Sequence, residues 1–199
     1  MFILVINGSP KQDGNVAYLL GLMQEELENK GAELEMISAH RIMTGQEQPF
    51  CSACTNPCPG KCYKGTALEE AYEKMERADA IILGSPVYFG TVSAQLKSFW
   101  DKTRKLRTEK KLVNKVGAAV TCGASRFGGQ ETTLKALFDM FMIQGMTIVG
   151  DGHGAADAGH HGVCAQHSSR EDVTASQRAT ILAQRVWEVA QATASLRES

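Results

Sequence analysis

Short apolar runs alternate along the chain with longer segments in which apolar residues recur every three or four positions. The apolar runs lie at 2–6, 33–38, 79–84, 116–122 and 146–149. Such runs predict strands buried on both faces of a parallel sheet, and the periodic segments between them predict amphipathic helices. Strands that alternate with helices indicate an α/β fold, here a doubly wound parallel sheet of five strands.

The helices are predicted from the spacing of apolar residues and from capping signals. They are expected over 15–30, over 66–77, around 96–100, from about 130 to 145, and from 174 to about 193. We see no linker and no internal repeat, so residues 1–199 are expected to form a single domain. Its main irregular insertion is a cysteine-rich loop at about 45–65, which is longer than most connections and therefore favours a functional role.

The first predicted strand ends at the segment Asn7-Gly8-Ser9-Pro10, and a helix follows it. The first N–H groups of a helix lack partners and carry partial positive charge, so this turn favours an anion such as phosphate. The candidate ligands are Ser9, Asn15 and the amides of residues 11–16. Neither a Gly-Lys-Ser/Thr nor a G-x-G-x-x-G pattern is present, which favours a mononucleotide phosphate. An ordinary strand–turn–helix connection is the alternative.

Composition and net charge limit the classes of binding partner that the chain could have. The chain has 199 residues, 43% of them hydrophobic, and a net charge of −1, which suggests neither nucleic acid nor a membrane surface as a partner. No apolar run reaches the roughly 18 residues of a membrane span, and the N-terminal segment predicts a strand rather than a signal peptide. We therefore expect a cytoplasmic protein, in which six cysteines point to metal or redox chemistry more than to disulfides.

Three motifs together carry a family resemblance that covers nearly the whole chain. They are G-S-P-K-x-x-G-N at 8–15, A-D-A-I-I-L-G-S-P-V-Y-F-G-T-V-S-A-Q-L-K-S-F-W-D at 78–101, and G-G-Q-E-T-T-L at 128–134, with a cysteine-rich loop between the first two. In this order they resemble the flavodoxin-like NAD(P)H-dependent FMN reductases, and within them the iron–sulfur flavoproteins. The resemblance implies bound FMN, a three-layer α/β/α fold with strand order 2-1-3-4-5, and a homodimer or homotetramer.

Carried over to this sequence, the resemblance implies three contact regions for FMN. The 5′-phosphate is expected on Ser9, Lys11, Asn15 and Val16, where valine replaces a frequent threonine and leaves only a backbone N–H. The isoalloxazine ring is expected against Pro86, Val87, Tyr88, Phe89 and Gly90. Its polar edge is expected at the loop 123–129, with Gly123, Arg126, Gly128 and Gly129 as contacts. Apolar and aromatic walls with backbone donors suit a flat heteroaromatic ring. The alternative is that Tyr88 and Phe89 belong to the core.

Four cysteines lie within twelve residues, as Cys51-x2-Cys54-x3-Cys58-x3-Cys62. Four thiolates at short spacings hold iron–sulfur clusters, and a Cys-Pro pair recurs in such motifs. Zinc also binds four cysteines, usually as two separated pairs. The resemblance favours a [4Fe–4S] cluster, although the spacing departs from the family pattern C-x2-C-x2-C-x4–7-C. Zinc, or no metal at all, stays an alternative.

The Gly- and His-rich segment 151–167 could bind a metal, but we predict a mobile loop there and assign no role to any single histidine.

The resulting functional interpretation is an FMN-dependent oxidoreductase. Electrons would pass from a ferredoxin-like protein or NAD(P)H to a small acceptor such as dioxygen, peroxide or a quinone. No catalytic acid or base is required, because the cofactor carries the chemistry. Alternatives are an NAD(P)H-dependent FMN or quinone reductase without a cluster, and a non-catalytic FMN electron carrier.

Overall fold

The computed structural model describes residues 1–197. Its strands are β1 (Phe2–Asn7), β2 (Glu33–Ser38), β3 (Ala80–Pro86), β4 (Val116–Gly123), β5 (Thr147–Ile148) and β6 (Val163–Gln166). Its helices are α1 (Asn15–Asn29), α2 (Ala39–Thr44), α3 (Ala67–Arg77), α4 (Ala94–Asp101), α5 (Arg104–Thr108), α6 (Gln130–Met142) and α7 (Val173–Ala192), followed by a 3₁₀ turn at Ala194–Leu196.

The strands form one parallel sheet in the order β2-β1-β3-β4-β5. The central strands β1 and β4 are buried along their whole length, and β3 is buried up to Pro86. Their continuous apolar sequences follow from this, because helices cover both faces of the sheet. The predicted α/β class and the predicted strand order are confirmed.

The fifth position of the sheet is shared by two short strands. β5 pairs with the beginning of β4 at Val116 and Gly117, whereas β6 pairs with its end, from Val120 to Gly123. The residues between them leave the sheet and return. The sequence prediction of a single strand at 146–149 was incomplete, because the four residues of β6 lie within the segment predicted as a loop. In this strand Val163 and Ala165 are buried, whereas Cys164 and Gln166 are exposed.

Helices pack against both faces of the sheet, which confirms the three layers. On one face, residues of α1 and α7 form a core with β1, β3 and β4; Leu19, Leu20, Leu182 and Val186 are fully buried there. On the other face, α2 to α6 contribute a second core that contains Tyr72, Phe99, Trp100 and Phe141. Within residues 1–197, none of the helices is both long and apolar enough to span a membrane.

Two helices were absent from the sequence prediction, α2 and α5. Each has only five or six residues, too few for an apolar period to repeat. α2 begins with a side-chain cap, in which Ser38 Oγ accepts a hydrogen bond from Arg41 N at 3.3 Å. The cap predicted for α3 is present, because Thr66 Oγ1 accepts from Leu68 N at 3.2 Å.

Candidate cofactor site at the carboxyl edge of the sheet

The turn after β1 lies tightly against the neighbouring strand. Gly8 N donates a hydrogen bond to Gly84 O at 2.8 Å. A Cβ atom at Gly8 would lie 2.7 Å from Leu96 Cδ2 and 2.8 Å from Gly84 O, so only glycine fits there. Asn7 Oδ1 then accepts from Ser9 N at 2.9 Å, and Ser9 Oγ accepts from Lys11 N at 3.1 Å. These bonds fix the path of the turn into α1.

The turn ends in a set of unpaired N–H groups. Tyr18 N makes the first helical hydrogen bond, to Gly14 O at 3.0 Å, and no side chain caps the helix. Among the described residues, the N–H groups of 12–17 have no protein acceptor. Unpaired N–H groups at the positive end of a fifteen-residue helix suit an anion. The geometry therefore fits the predicted phosphate.

The predicted phosphate ligands differ in what their side chains can contribute. Val16 is buried, and its Cγ1 would lie 2.6 Å from a Cβ atom at Gly84, so it packs on the sheet and presents only its N–H. Lys11 is exposed at the tip of the turn. Ser9 is buried, and its hydroxyl accepts from Lys11 N. Asn15 uses its amide oxygen within the protein, as an acceptor from Ser169 N at 3.1 Å.

The loop after β3 displays aromatic side chains to solvent. Tyr88 N donates to Thr91 O at 2.9 Å and Thr91 N donates to Tyr88 O at 3.1 Å. The two residues between them, Phe89 and Gly90, both have positive φ, 49° and 79°, as in a type I′ turn. Phe89 is fully exposed and Tyr88 is 43% exposed. The alternative that both belong to the core is wrong.

The loop after β4 lies against the loop after β3. Gly129 has a φ of 97°, and a Cβ atom there would lie 3.0 Å from Gly90 Cα. Thr132 Oγ1 donates to Gly90 O at 2.8 Å, which links α6 to the same turn. Phe127 is 95% exposed, with the guanidinium of Arg126 5.4 Å from its ring centre. Both loops predicted to hold the flavin ring therefore lie at one edge of the sheet, with exposed aromatic residues on each.

Gln130 fixes the shape of this second loop, a role that sequence reasoning missed. Its Nε2 donates to Ser125 O at 2.7 Å, and its Oε1 accepts from Gly128 N at 2.9 Å. A Cβ atom at Gly123 would lie 2.6 Å from Gln130 Nε2, and one at Gly128 would lie 2.8 Å from Ser125 O. Gly123 and Gly128 are thus required by the packing of the loop itself.

An open pocket of about 1130 Å³ adjoins the same loop. It runs between the beginnings of α6 and α7, and Arg126, Phe127, Cys164, His167 and Thr174 are among its lining residues. No sequence signal indicated it, because its walls come from separate parts of the chain. Arg126 and Gly129, two of the predicted flavin contacts, also line this pocket.

The four-cysteine loop carries free thiols. Cys51 and Cys58 are half-buried, and Cys54 and Cys62 are exposed. Within residues 1–197 no three His, Cys, Asp or Glu side chains converge as metal ligands, this loop included. The donor chemistry suits iron or zinc, but the side chains do not converge in this structure.

Aromatic packing anchors the end of this loop. The rings of Tyr63 and Tyr72 meet edge to face with centroids 4.9 Å apart, and Tyr72 meets Phe99 in the same way at 5.4 Å. Tyr72 Oη donates to Phe99 O at 2.6 Å. Tyr63 lies one residue after Cys62 and is 4% exposed, so the last cysteine is attached to the core between α3 and α4.

Alkaline pH provides a test of this anchor. Burial raises the pKa of Tyr63 to about 12, and the thiolates of Cys58 and Cys62 add to the effect. Its ordinary value is 10.0, so its stabilising contribution is complete below pH 10 and is lost as pH rises towards 12. Between pH 9 and pH 12 we expect the free energy of unfolding in urea to fall by about 2 kcal/mol more than in Tyr63→Phe. Equal losses in the two proteins would contradict the anchor.

The other two cysteines lie outside this loop. Burial raises the pKa of the Cys122 thiol to about 11, so this group is protonated at neutral pH and packs as a small apolar side chain.

The histidine-rich segment packs partly through His161, whose ring stacks on Phe138 with the ring centres 6.3 Å apart. His153 Nε2 lies 2.8 Å from Glu188 Oε1 of α7.

Known proteins resemble this chain along most of its length. A family model described as NADPH-dependent FMN reductase matches residues 1–161. An iron–sulfur flavoprotein of Methanocaldococcus jannaschii is 44% identical over 165 residues, which are 82% of this chain and 83% of that relative. An NAD(P)H dehydrogenase (quinone) of Chromohalobacter salexigens is 46% identical over 72 residues, 36% of each chain. A WrbA-like flavodoxin crystal structure from Agrobacterium tumefaciens shares the fold, with a TM-score of 0.68 and 23% identity over 96% of this chain and 98% of that one.

Proposed function

The chain belongs to the NADPH-dependent FMN reductase family and is a flavin-dependent oxidoreductase, and we propose that it binds one FMN at the edge formed by the turns after β1, β3 and β4. The observation that carries this placement is the set of unpaired N–H groups at the start of α1, beside two loops with exposed aromatic residues. In a sheet of this strand order, ligands bind at that edge.

Each part of the edge has a task in this proposal. The N–H groups of 12–17 and the amide of Asn15 hold the phosphate, while the buried Val16 supplies only its N–H. Tyr88 and Phe89 of the β3 loop flank the ring, and the β4 loop meets its polar edge. Bound FMN accepts two electrons as a hydride or releases them singly. The protein orients the ring and leaves room for a donor and an acceptor to approach it.

We propose a [4Fe–4S] cluster on Cys51, Cys54, Cys58 and Cys62. Four free thiols within twelve residues support it, as does the name of the relative from M. jannaschii, an iron–sulfur flavoprotein. Residues 45–66 contain neither helix nor strand, so ligation would break little hydrogen-bonded structure. Because the thiols do not converge in this structure, we derive no reaction step through the cluster.

Metal analysis of protein purified without oxygen tests the cluster. We expect about four irons and four sulfides per chain, as four-thiolate cubane ligation implies, and a clear loss of iron in Cys58→Ala. Cys164→Ala is the matched control, because Cys164 lies outside the loop, and it should keep its iron. FMN without iron or sulfide would contradict the cluster and leave a simple flavin reductase. About one zinc per chain in the same analysis, with no iron or sulfide, would show a zinc site instead.

We propose NAD(P)H or a ferredoxin-like protein as the donor and a small molecule as the acceptor. Family membership supports a nicotinamide donor, and similarity to the NAD(P)H dehydrogenase (quinone) of C. salexigens favours a quinone acceptor. The flavin-loaded protein is first reduced without oxygen by NADH, NADPH or reduced ferredoxin, which identifies the donor. Quinone, dioxygen or peroxide is then added to the reduced protein, and the compound that reoxidises the flavin is the acceptor. Reduction without turnover of any acceptor would favour an electron carrier instead.

A homodimer or homotetramer is also proposed, and light scattering on the flavin-loaded protein tests it.

A further inference from the structure

We propose that Ser169 is a positioning residue for the FMN phosphate: it holds the Asn15 side chain so that the amide Nδ2 group is free to donate to the anion. This inference rests on the FMN-binding function proposed above. It assigns a part in cofactor binding to the segment between β6 and α7, which the sequence motifs do not include.

The two residues are joined across 154 positions of sequence by two donors of Ser169, the backbone N–H and the hydroxyl, which make three close contacts with Asn15. Ser169 N donates to Asn15 Oδ1 at 3.1 Å. Ser169 Oγ lies 3.0 Å from Asn15 O and 3.2 Å from Asn15 Oδ1, so its one proton is shared between these two acceptors. Ser169 is fully buried, with 0% exposure, and Asn15 is half-buried.

These contacts determine the orientation of the Asn15 side-chain amide. A backbone N–H can only donate, so the atom that faces Ser169 N must be the oxygen. The Nδ2 group is therefore on the side of the amide away from Ser169. Among the described residues the Asn15 side chain makes its hydrogen bonds through Oδ1 alone, so Nδ2 has no protein acceptor there. Asn15 is the first residue of α1, so this donor lies beside the unpaired backbone N–H groups.

The segment that carries Ser169 is itself fixed to both neighbouring helices. Asp172 Oδ1 accepts from Ala175 N and caps α7, while Asp172 Oδ2 accepts from Gln166 N, both at 2.9 Å. Arg170 lies over the ring of Tyr18 in α1, 4.7 Å from its centre. Ser169 is thus placed before any ligand binds, and the Asn15 amide is preorganised.

The expected consequence concerns only the phosphate end of the ligand. Without the hydroxyl, the Asn15 amide keeps one of its two Ser169 donors and loses part of its restraint. Binding of FMN must then order this side chain, whereas riboflavin, which has the same ring but no phosphate, makes no contact with it. A residue that merely stabilised the fold would affect both flavins equally.

Titration of full-length apoprotein with FMN and with riboflavin, followed by quenching of flavin fluorescence, tests this role. For Ser169→Ala we expect FMN affinity to fall about threefold to tenfold, with riboflavin affinity unchanged. Ser168→Ala is the matched control and should bind both flavins as the unchanged protein does. In an Asn15→Ala background, Ser169→Ala should have no further effect on FMN, because the group that it positions is missing.

Three results would overturn the inference: unchanged FMN affinity in Ser169→Ala, an equal loss for the two flavins, or a full effect of Ser169→Ala without the Asn15 amide. Riboflavin binding also serves as the check that the variant is folded around the ring site. If the unchanged protein binds neither flavin, the proposed function fails and takes this inference with it. If it binds FMN normally and the variant does not discriminate, only the role of Ser169 fails.

Discussion

Replacing Asn15 by aspartate is expected to lower the affinity for FMN by about 100-fold or more. The carboxylate has almost the same shape as the amide, and one of its oxygens continues to accept from Ser169. The other oxygen replaces the only donor on the side chain and puts a negative charge next to the phosphate. The protein thus loses a charge-assisted hydrogen bond and gains a like-charge contact at the same position.

This result can be separated from loss of the fold. Asp at the first position of a helix interacts favourably with the helix dipole, so the urea midpoint of the apoprotein should not decrease. Riboflavin should bind to Asn15→Asp as to the unchanged protein, and Asn15→Ala should give an intermediate FMN affinity. An FMN dissociation constant within twofold of that of the unchanged protein would show that the phosphate lies elsewhere.

Alanine at Gly84 is expected to destabilise the protein by about 2–3 kcal/mol, because the core above this position is already filled. Its Cβ atom would lie 2.6 Å from Val16 Cγ1 and 2.8 Å from Leu20 Cδ1. Both contacts are with the first turns of α1, so the helix must move away from the sheet. That movement displaces the N–H groups of the phosphate turn, and FMN affinity should fall together with stability.

Gly21→Ala, in the same helix, is the matched control. A Cβ atom at Gly21 meets nothing within 4 Å, so only helix propensity changes, and we expect a gain of about 1 kcal/mol. Urea unfolding of the apoproteins measures both values. If Gly84→Ala were as stable as Gly21→Ala, the close packing of α1 on β3 would be wrong.

The central strands could be predicted from sequence because burial on both faces makes their whole length apolar, as in β1 and β4. The turn between β1 and α1 could be located for a related reason, since its glycine and asparagine follow such a strand directly; that it binds phosphate stays a prediction. β6 could not be predicted, because its four residues alternate between buried and exposed over too short a length. The contact of Ser169 with Asn15 is between residues far apart in sequence, and only the packing of α7 on α1 creates it.

The cysteine loop shows a different limit of sequence reasoning. The residue types indicate which ions the loop could bind, because four thiolates favour iron or zinc. They do not determine whether the backbone brings the thiols together, and in the described part of the chain they remain apart. In the β3 loop the exposure of Phe89 depends on two successive positive φ angles, which the Phe-Gly pair permits but does not impose.

We propose above that the edge formed by β1, β3 and β4 binds FMN through its phosphate. The most direct test is the flavin content of the full-length protein, purified without oxygen, incubated with excess FMN and freed of unbound ligand. We expect about one FMN per chain, retained in preference to riboflavin because the N–H groups at the start of α1 contact the phosphate. A protein that retains no FMN, or that retains riboflavin equally well, would contradict it.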